Sequence, residues 1–184
     1  MGRPEGTVTV REISEVHEVR RAAALLDAIW RGKRVLSPEL LRALATHGAL
    51  VLGAFRDDEM VGTQMGFLGL DPDGAPFLHS HVTGVAPGLE HGGIGLALKR
   101  AQRDWCLARG IGTVTWTFDP MIARNAYFNL SKLAAEAHAF HRDFYGPMED
   151  VLNAGERSDR VEVRWDLRSP RVVDALAGRP PAPE

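Results

Sequence analysis

A single cysteine, Cys106, in 184 residues excludes an internal disulfide and a multi-cysteine metal site. Neither sign of charge dominates. The 22 Lys and Arg nearly balance 24 Asp and Glu, and the net charge of -2 gives no electrostatic reason for a nucleic acid or an anionic membrane as partner. No apolar run approaches the ~20 residues of a membrane span, and the opening 1–6 lacks the apolar stretch of a secretory leader. A cytoplasmic location is the expectation. There is also no internal repeat and no long linker, so 1–177 is expected to form a single domain. The proline-rich tail 178–184 is expected to be mobile.

What is present has the balance of a globular chain, 45% hydrophobic and 25% charged. Residues 7–13 alternate as a strand. Ser14 is placed to cap a helix on which Val16, Val19, Ala23, Leu26 and Trp30 share a face. Ser37-Pro38-Glu39 opens a second helix that Gly48 closes. Strands follow over 49–55, 60–70 and 77–85, joined by the turns Asp57-Asp58 and 71–74. The period then changes: Ile94, Ala97, Leu98, Ala101, Trp105 and Ala108 line one face of a helix, which Gly110 ends. A strand over 113–118, a helix over about 123–137, and strands over 138–145 and 161–167 complete the pattern. The order βααβββαβαββ predicts an α/β (α+β) domain: a mixed, mostly antiparallel central sheet with helices on both faces.

The most informative stretch is 82–99, where a strand runs through a glycine-dense turn into an amphipathic helix. The first amides of a helix have no intrahelical acceptor and sit at its positive end. Glycines at 92, 93 and 95 let a ligand approach the backbone, so the turn suits a pyrophosphate. Glycine spacing alone fits a plain strand-to-helix connection equally well. A dinucleotide-binding fold is disfavoured, because no acidic residue ends an obvious next parallel strand.

Val85-x-Pro87 followed by Gly93-Ile94-Gly95 and a helix resembles the acetyl-CoA-binding motif of the GNAT (Gcn5-related N-acetyltransferase) superfamily. The element order resembles its fold over nearly the whole chain. The resemblance implies a splayed strand whose residues Thr83, Gly84 and Val85 pair with the pantetheine arm. It implies a pyrophosphate on the amides of Glu90, His91, Gly92, Gly93, Ile94, Gly95 and Leu96. The family usually carries Arg or Gln where this chain has Glu90. A carboxylate ~5 Å from a pyrophosphate charge costs on the order of 3 kcal/mol at an effective dielectric near 20. Turning to solvent reduces that cost, and His91 is an alternative donor.

The same resemblance implies an acyl-CoA-dependent N-acyltransferase (acetyl-CoA, or another acyl-CoA such as succinyl-CoA, as co-substrate; no metal). The acceptor is a small-molecule amine, expected to be an amino acid, and transfer is direct in a ternary complex. That chemistry needs the amine deprotonated, the carbonyl polarised and the leaving thiolate protonated. His79 and His81, two apart on one strand, and Asp119 at the end of the next are the candidates for base or substrate contact. Each has a plainer role: a hydrogen-bonded histidine in the fold, or a carboxylate capping the turn after Pro120. A metal held by the same three residues has no independent support in the sequence.

Residues 123–133 resemble the second CoA-contacting segment of the family, an Asn followed by Tyr-x-Lys. Matching Lys132 puts Leu130 where the family's general-acid Tyr stands, and Tyr127 is the substitute within reach. Asn125 and Asn129 are assigned to the pantetheine amides. A looser likeness, to a bacterial subgroup linked to N-succinylamino acids, rests on 116–120, 123–126 and 153–160. It implies that Arg124, Arg157 and Arg160 clamp carboxylates, with Trp30, Trp116 and Phe118 as further substrate contacts. Cys106, mid-helix beside Trp105, reads as packing. Two other readings remain open: a catalytically silent acyl-CoA-binding module, and other acyl-CoA chemistry such as decarboxylation. Pairing of subunits as a homodimer through strands near the C-terminus is a further expectation.

Overall fold

Period-two stretches form strands and period-3.6 stretches form helices along most of the chain. The computed structural model describes residues 6–30, 35–146 and 157–179. Its elements are β1 (Val8–Glu12), α1 (Val16–Ile29), α2 (Pro38–Thr46), β2 (Leu50–Arg56), β3 (Glu59–Leu70), β4 (Pro76–Val85), α3 (Ile94–Ala108), β5 (Thr113–Phe118), α4 (Ala123–Ala126), β6 (Glu136–His141), β7 (Arg160–Asp166) and α5 (Pro170–Leu176). A π-helical turn, Tyr127–Lys132, continues α4. The strand order is β1-β2-β3-β4-β5-β7-β6 in a mixed sheet. Contacts divide the chain into two compact units: Met1–Phe67 with Ser80–Trp105, and Leu68–His79 with Cys106–Glu184.

In the first unit β1, β2 and β3 form an antiparallel meander, from Val8↔Arg56 and from Leu50↔Gly66, with a register shift between Ala54 and Phe55. Met65 and Val82 join the core built by α1 and α2 around Val19, Ala22, Leu26 and Leu41. On the other side, Ile94 and Leu98 of α3 press against Gly62, where a Cβ would stand 2.8 Å from Ile94 Cγ2. Gly62 is thus a required gap, and helices cover both faces of this part of the sheet.

In the second unit the start of β4 pairs in parallel with β5, Leu78↔Val114 and His79↔Thr115. The strands continue to Val85 and Phe118. β7 pairs antiparallel with both β5 and β6. Trp165, fully buried, anchors the core: its indole N–H donates to the Leu133 carbonyl at 2.8 Å, and its ring meets Trp116 edge-on at 5.8 Å.

Several local expectations change. Ser14 does not cap α1; Glu15 occupies the cap position with no side-chain bond, and its carbonyl accepts from Val19 N. By contrast Ser37 caps α2, accepting from Leu40 N. The helix expected to reach residue 137 ends at Lys132, in i→i+5 bonds such as Leu133 N to Phe128 O. Ala134 then takes φ 53° and turns the chain into β6. β6 therefore starts at Glu136, and 142–145 form a turn held by Ser158, whose carbonyl accepts from Phe144 N and whose Oγ accepts from Tyr145 N. The helix α5 was not expected at all. Residues 153–156 and 180–184 lie outside the described residues.

Candidate functional site

The glycine turn sits at the N-terminus of the 15-residue helix α3. Gly88 and Gly93 take φ of 84° and 73°, which side chains rarely adopt. The Gly93 carbonyl accepts from Ala97 N at 3.0 Å, so the amides of Ile94, Gly95 and Leu96 have no acceptor within the helix. Gly92 and His91 are exposed, as is Glu90, which is engaged in interactions of its own. A cleft of about 480 Å³ opens beside the turn, lined by Gly6, Arg56, His91, Gly92, Gly93 and Ala97 among others. Arg56, at the end of β2, was not singled out in the sequence. Its only signal there is a cation closing an apolar strand, which is also what a plain hairpin edge looks like.

The residues fit a phosphate group. A Cβ on Gly92 would stand 3.6 Å from Arg56 Nη2, so the missing side chain leaves the guanidinium open to the turn. Arg56 Nε is buried without a hydrogen-bond partner among the described residues. Outward amides and the guanidinium Nη2 beside Gly92 form the donor set that a diphosphate requires.

The strand entering the turn is locally irregular. Ser80 faces α3, where its Oγ accepts from Lys99 Nζ at 3.0 Å and from Gln64 Nε2 at 3.1 Å. Val82, two residues on, packs with α1 and α2 instead. Strict alternation would put the two on one face. Gly84 is closed over by α1: a Cβ there would be 2.6 Å from Ile29 Cδ1, with Trp30 Cζ3 at 3.4 Å. Trp30 therefore lies against the segment Thr83–Val85 assigned to pantetheine.

Of the base candidates, His79 Nδ1 lies 3.2 Å from Thr115 Oγ1. The His81 ring tilts against Phe67 at 6.0 Å, and desolvation by the surrounding protein pushes its pKa below the ordinary 6.5. Asp119 Oδ1 accepts from Met121 N at 2.8 Å, the turn-capping role. Asn129 is buried, and its Oδ1 accepts from Trp116 Nε1 at 3.1 Å. Tyr127 is 59% exposed on the π-helical turn; Arg124 and Lys132 are exposed, and Asn125 is half-buried. Trp116 and Phe118 are buried, and the Trp116 ring packs edge-on against Trp165.

In the second unit Arg157 pairs with Asp159 at 2.9 Å, and Arg160 lies over the Tyr145 ring at 5.4 Å. The Asp143 amide bond lowers the Asp159 pKa first, with Arg157 adding to it. Tyr145 OH is 3.3 Å from Thr117 Oγ1, and His141 Nε2 is 2.7 Å from Glu162 Oε2. No local pattern in the sequence marks these two contacts, whose members stand 28 and 21 residues apart. Among the described residues no group of three His, Cys, Asp or Glu is arranged around a metal position. Cys106 is fully buried.

No family profile and no curated protein sequence matches the chain. Solved structures do. Naa50 of Arabidopsis thaliana, bound to the bisubstrate analogue CoA-Ac-MVNAL, is 17% identical with a TM-score of 0.68, covering 85% of this chain and 97% of its own. A GNAT-family acetyltransferase of Streptococcus pneumoniae is 14% identical with a TM-score of 0.67, covering 86% and 98%. An aminoglycoside acetyltransferase from an uncultured soil metagenomic sample, in complex with sisomicin, is 17% identical with a TM-score of 0.65, covering 77% and 97%. The protein has the fold of the GNAT acetyltransferases. At these identities the likeness establishes the fold.

Proposed function

We propose that the protein is an acyl-CoA-dependent N-acyltransferase acting on the amine of a small metabolite, with an amino acid as the favoured acceptor. The observation that carries this reading is the sequence of events on β4: an irregular strand, then a glycine turn opening α3. An irregular strand offers backbone groups to an extended amide-bearing arm, and the turn offers donors to its phosphates. The structural neighbours include one bound to a CoA-peptide analogue and one bound to an aminoglycoside, so the fold serves both peptide and small-molecule amines.

In direct transfer the amine nitrogen bonds to the thioester carbonyl carbon, the carbon–sulfur bond breaks, and the sulfur leaves as a thiolate that takes up a proton. His81 is the favoured proton acceptor. Its lowered pKa keeps it neutral at pH 7, as a base requires. His79 and Asp119 are the alternatives, each already holding one partner. The exposed phenol of Tyr127 is the group proposed to protonate the thiolate. Arg124, Arg157 and Arg160 are proposed for acceptor or succinyl carboxylates.

Titration calorimetry with acetyl-, succinyl- and malonyl-CoA, followed by thiol release across a panel of amines, tests the proposal. Saturable binding and amine-dependent thiol release are expected. Leu130 in place of the family's tyrosine favours one second reading, a silent acyl-CoA-binding module. Binding without thiol release for any amine would establish that module instead.

A further inference from the structure

We infer that Arg56 is the cation that holds the diphosphate of the acyl-CoA at the glycine turn, in place of the basic or amide residue that the turn lacks at Glu90. The inference rests on the acyltransferase reading and goes beyond it by assigning the charge to a different element of the fold. Arg56 lies on β2, 34 to 37 residues before the turn, counting from Glu90 to Gly93. Its Nη2 comes to 3.6 Å from the Cβ position of Gly92, so guanidinium and turn share one cleft. Nε is fully buried and has no hydrogen-bond partner among the described residues.

Among the described residues no ion pair or hydrogen bond engages the Arg56 side chain. The arginines that do have such partners include Arg11 with Glu18, Arg157 with Asp159 and Arg179 with Asp174. An unpaired guanidinium beside outward helix amides has one chemistry that satisfies both: a phosphate oxygen accepting from each. The site also explains why Glu90 is tolerated. With a cation beneath the turn, the exposed carboxylate can face solvent, and the net charge around the phosphate still favours binding.

The test compares acetyl-CoA, acetyl-dephospho-CoA and S-acetylpantetheine by calorimetry, with the melting temperature of each variant as a control for folding. Arg56→Gln is expected to bind both CoA thioesters about ten- to a hundredfold more weakly. It should bind S-acetylpantetheine, which has no phosphate, as the wild type does. Arg56→Lys should recover part of the loss, and adding Glu90→Arg to Arg56→Gln should recover most of it. The inference is overturned if Arg56→Gln binds acetyl-CoA unchanged, or loses as much affinity for S-acetylpantetheine. A loss confined to acetyl-CoA and absent with the dephospho form overturns the diphosphate assignment in favour of the 3′-phosphate. A wild-type chain that binds no thioester at all contradicts the acyltransferase reading, and the inference falls with it.

Discussion

Ser80 and Val82 stand two residues apart on β4 yet pack into different layers, Ser80 on Lys99 of α3 and Val82 in the core of α1 and α2. A strand that keeps its pleat puts such residues on one face. The break falls at His81. The irregularity thus marks the segment proposed to meet the acyl-CoA arm.

Gly84 follows that break under α1. Gly84→Ala would drive a methyl to 2.6 Å from Ile29 Cδ1 and 3.2 Å from Leu26 Cδ2. Ile29 can give way at its tip, whereas Leu26 is 1% exposed. The expected cost is about 1–3 kcal/mol of stability, read from urea denaturation, together with weaker acyl-CoA binding. Unchanged stability would show that α1 does not press on this strand.

Lys99 is 3% exposed, and its Nζ donates to Ser80 Oγ and to Gln102 Oε1. Removing it leaves buried acceptors unmet, since Gln102 and Gln64 are fully buried and each already carries one unpaired amide atom. Lys99→Met, close in volume, is expected to lower stability by about 1–3 kcal/mol. A stabilised variant would mean that burying the ammonium costs more than its bonds return.

Asn129 separates structural from cofactor roles. Its Oδ1 accepts the buried indole N–H of Trp116. Asn129→Ala strands that donor and is expected to cost about 1–3 kcal/mol in thermal or chemical denaturation. If stability holds and only acyl-CoA affinity falls, the side chain serves the ligand rather than the tryptophan.

His81 gives a pH signature. Desolvation holds its folded pKa below 6.5, so the unfolded chain binds the proton more readily. Its contribution to stability is full above about pH 6.5 and declines as pH falls through the lowered value. If His81 is the base, kcat/KM should fall over the same acidic window, with an apparent pKa below 6.5. His81→Gln should remove that acidic limb and lower kcat by about 10²–10⁴-fold. An acidic limb that persists in His81→Gln assigns the proton to another group.

Much of the fold was legible because its signals are local. Ser37-Pro38 marked α2, and alternation marked β1 and the face of β5 bearing Val114, Trp116 and Phe118. The same Ser-Pro signature, Ser169-Pro170, opens α5 and was passed over, because it follows directly on β7 in a short polar stretch. Around Leu133, Ala134 and Ala135 the alanines favour helix, yet burial to 1% or less and the Trp165 bond to the Leu133 carbonyl turn the chain away. The glycine turn could be read from residue order. Arg56 could not, because only the folded meander brings the end of β2 beside Gly92.

The most direct test of the whole account is a calorimetric titration of acetyl-, succinyl- and malonyl-CoA into the wild-type chain and into Glu90→Arg. The account predicts saturable binding of at least one acyl-CoA by the wild type, and tighter binding when the carboxylate at the turn becomes a guanidinium. Absence of binding to all three by the wild type would contradict it.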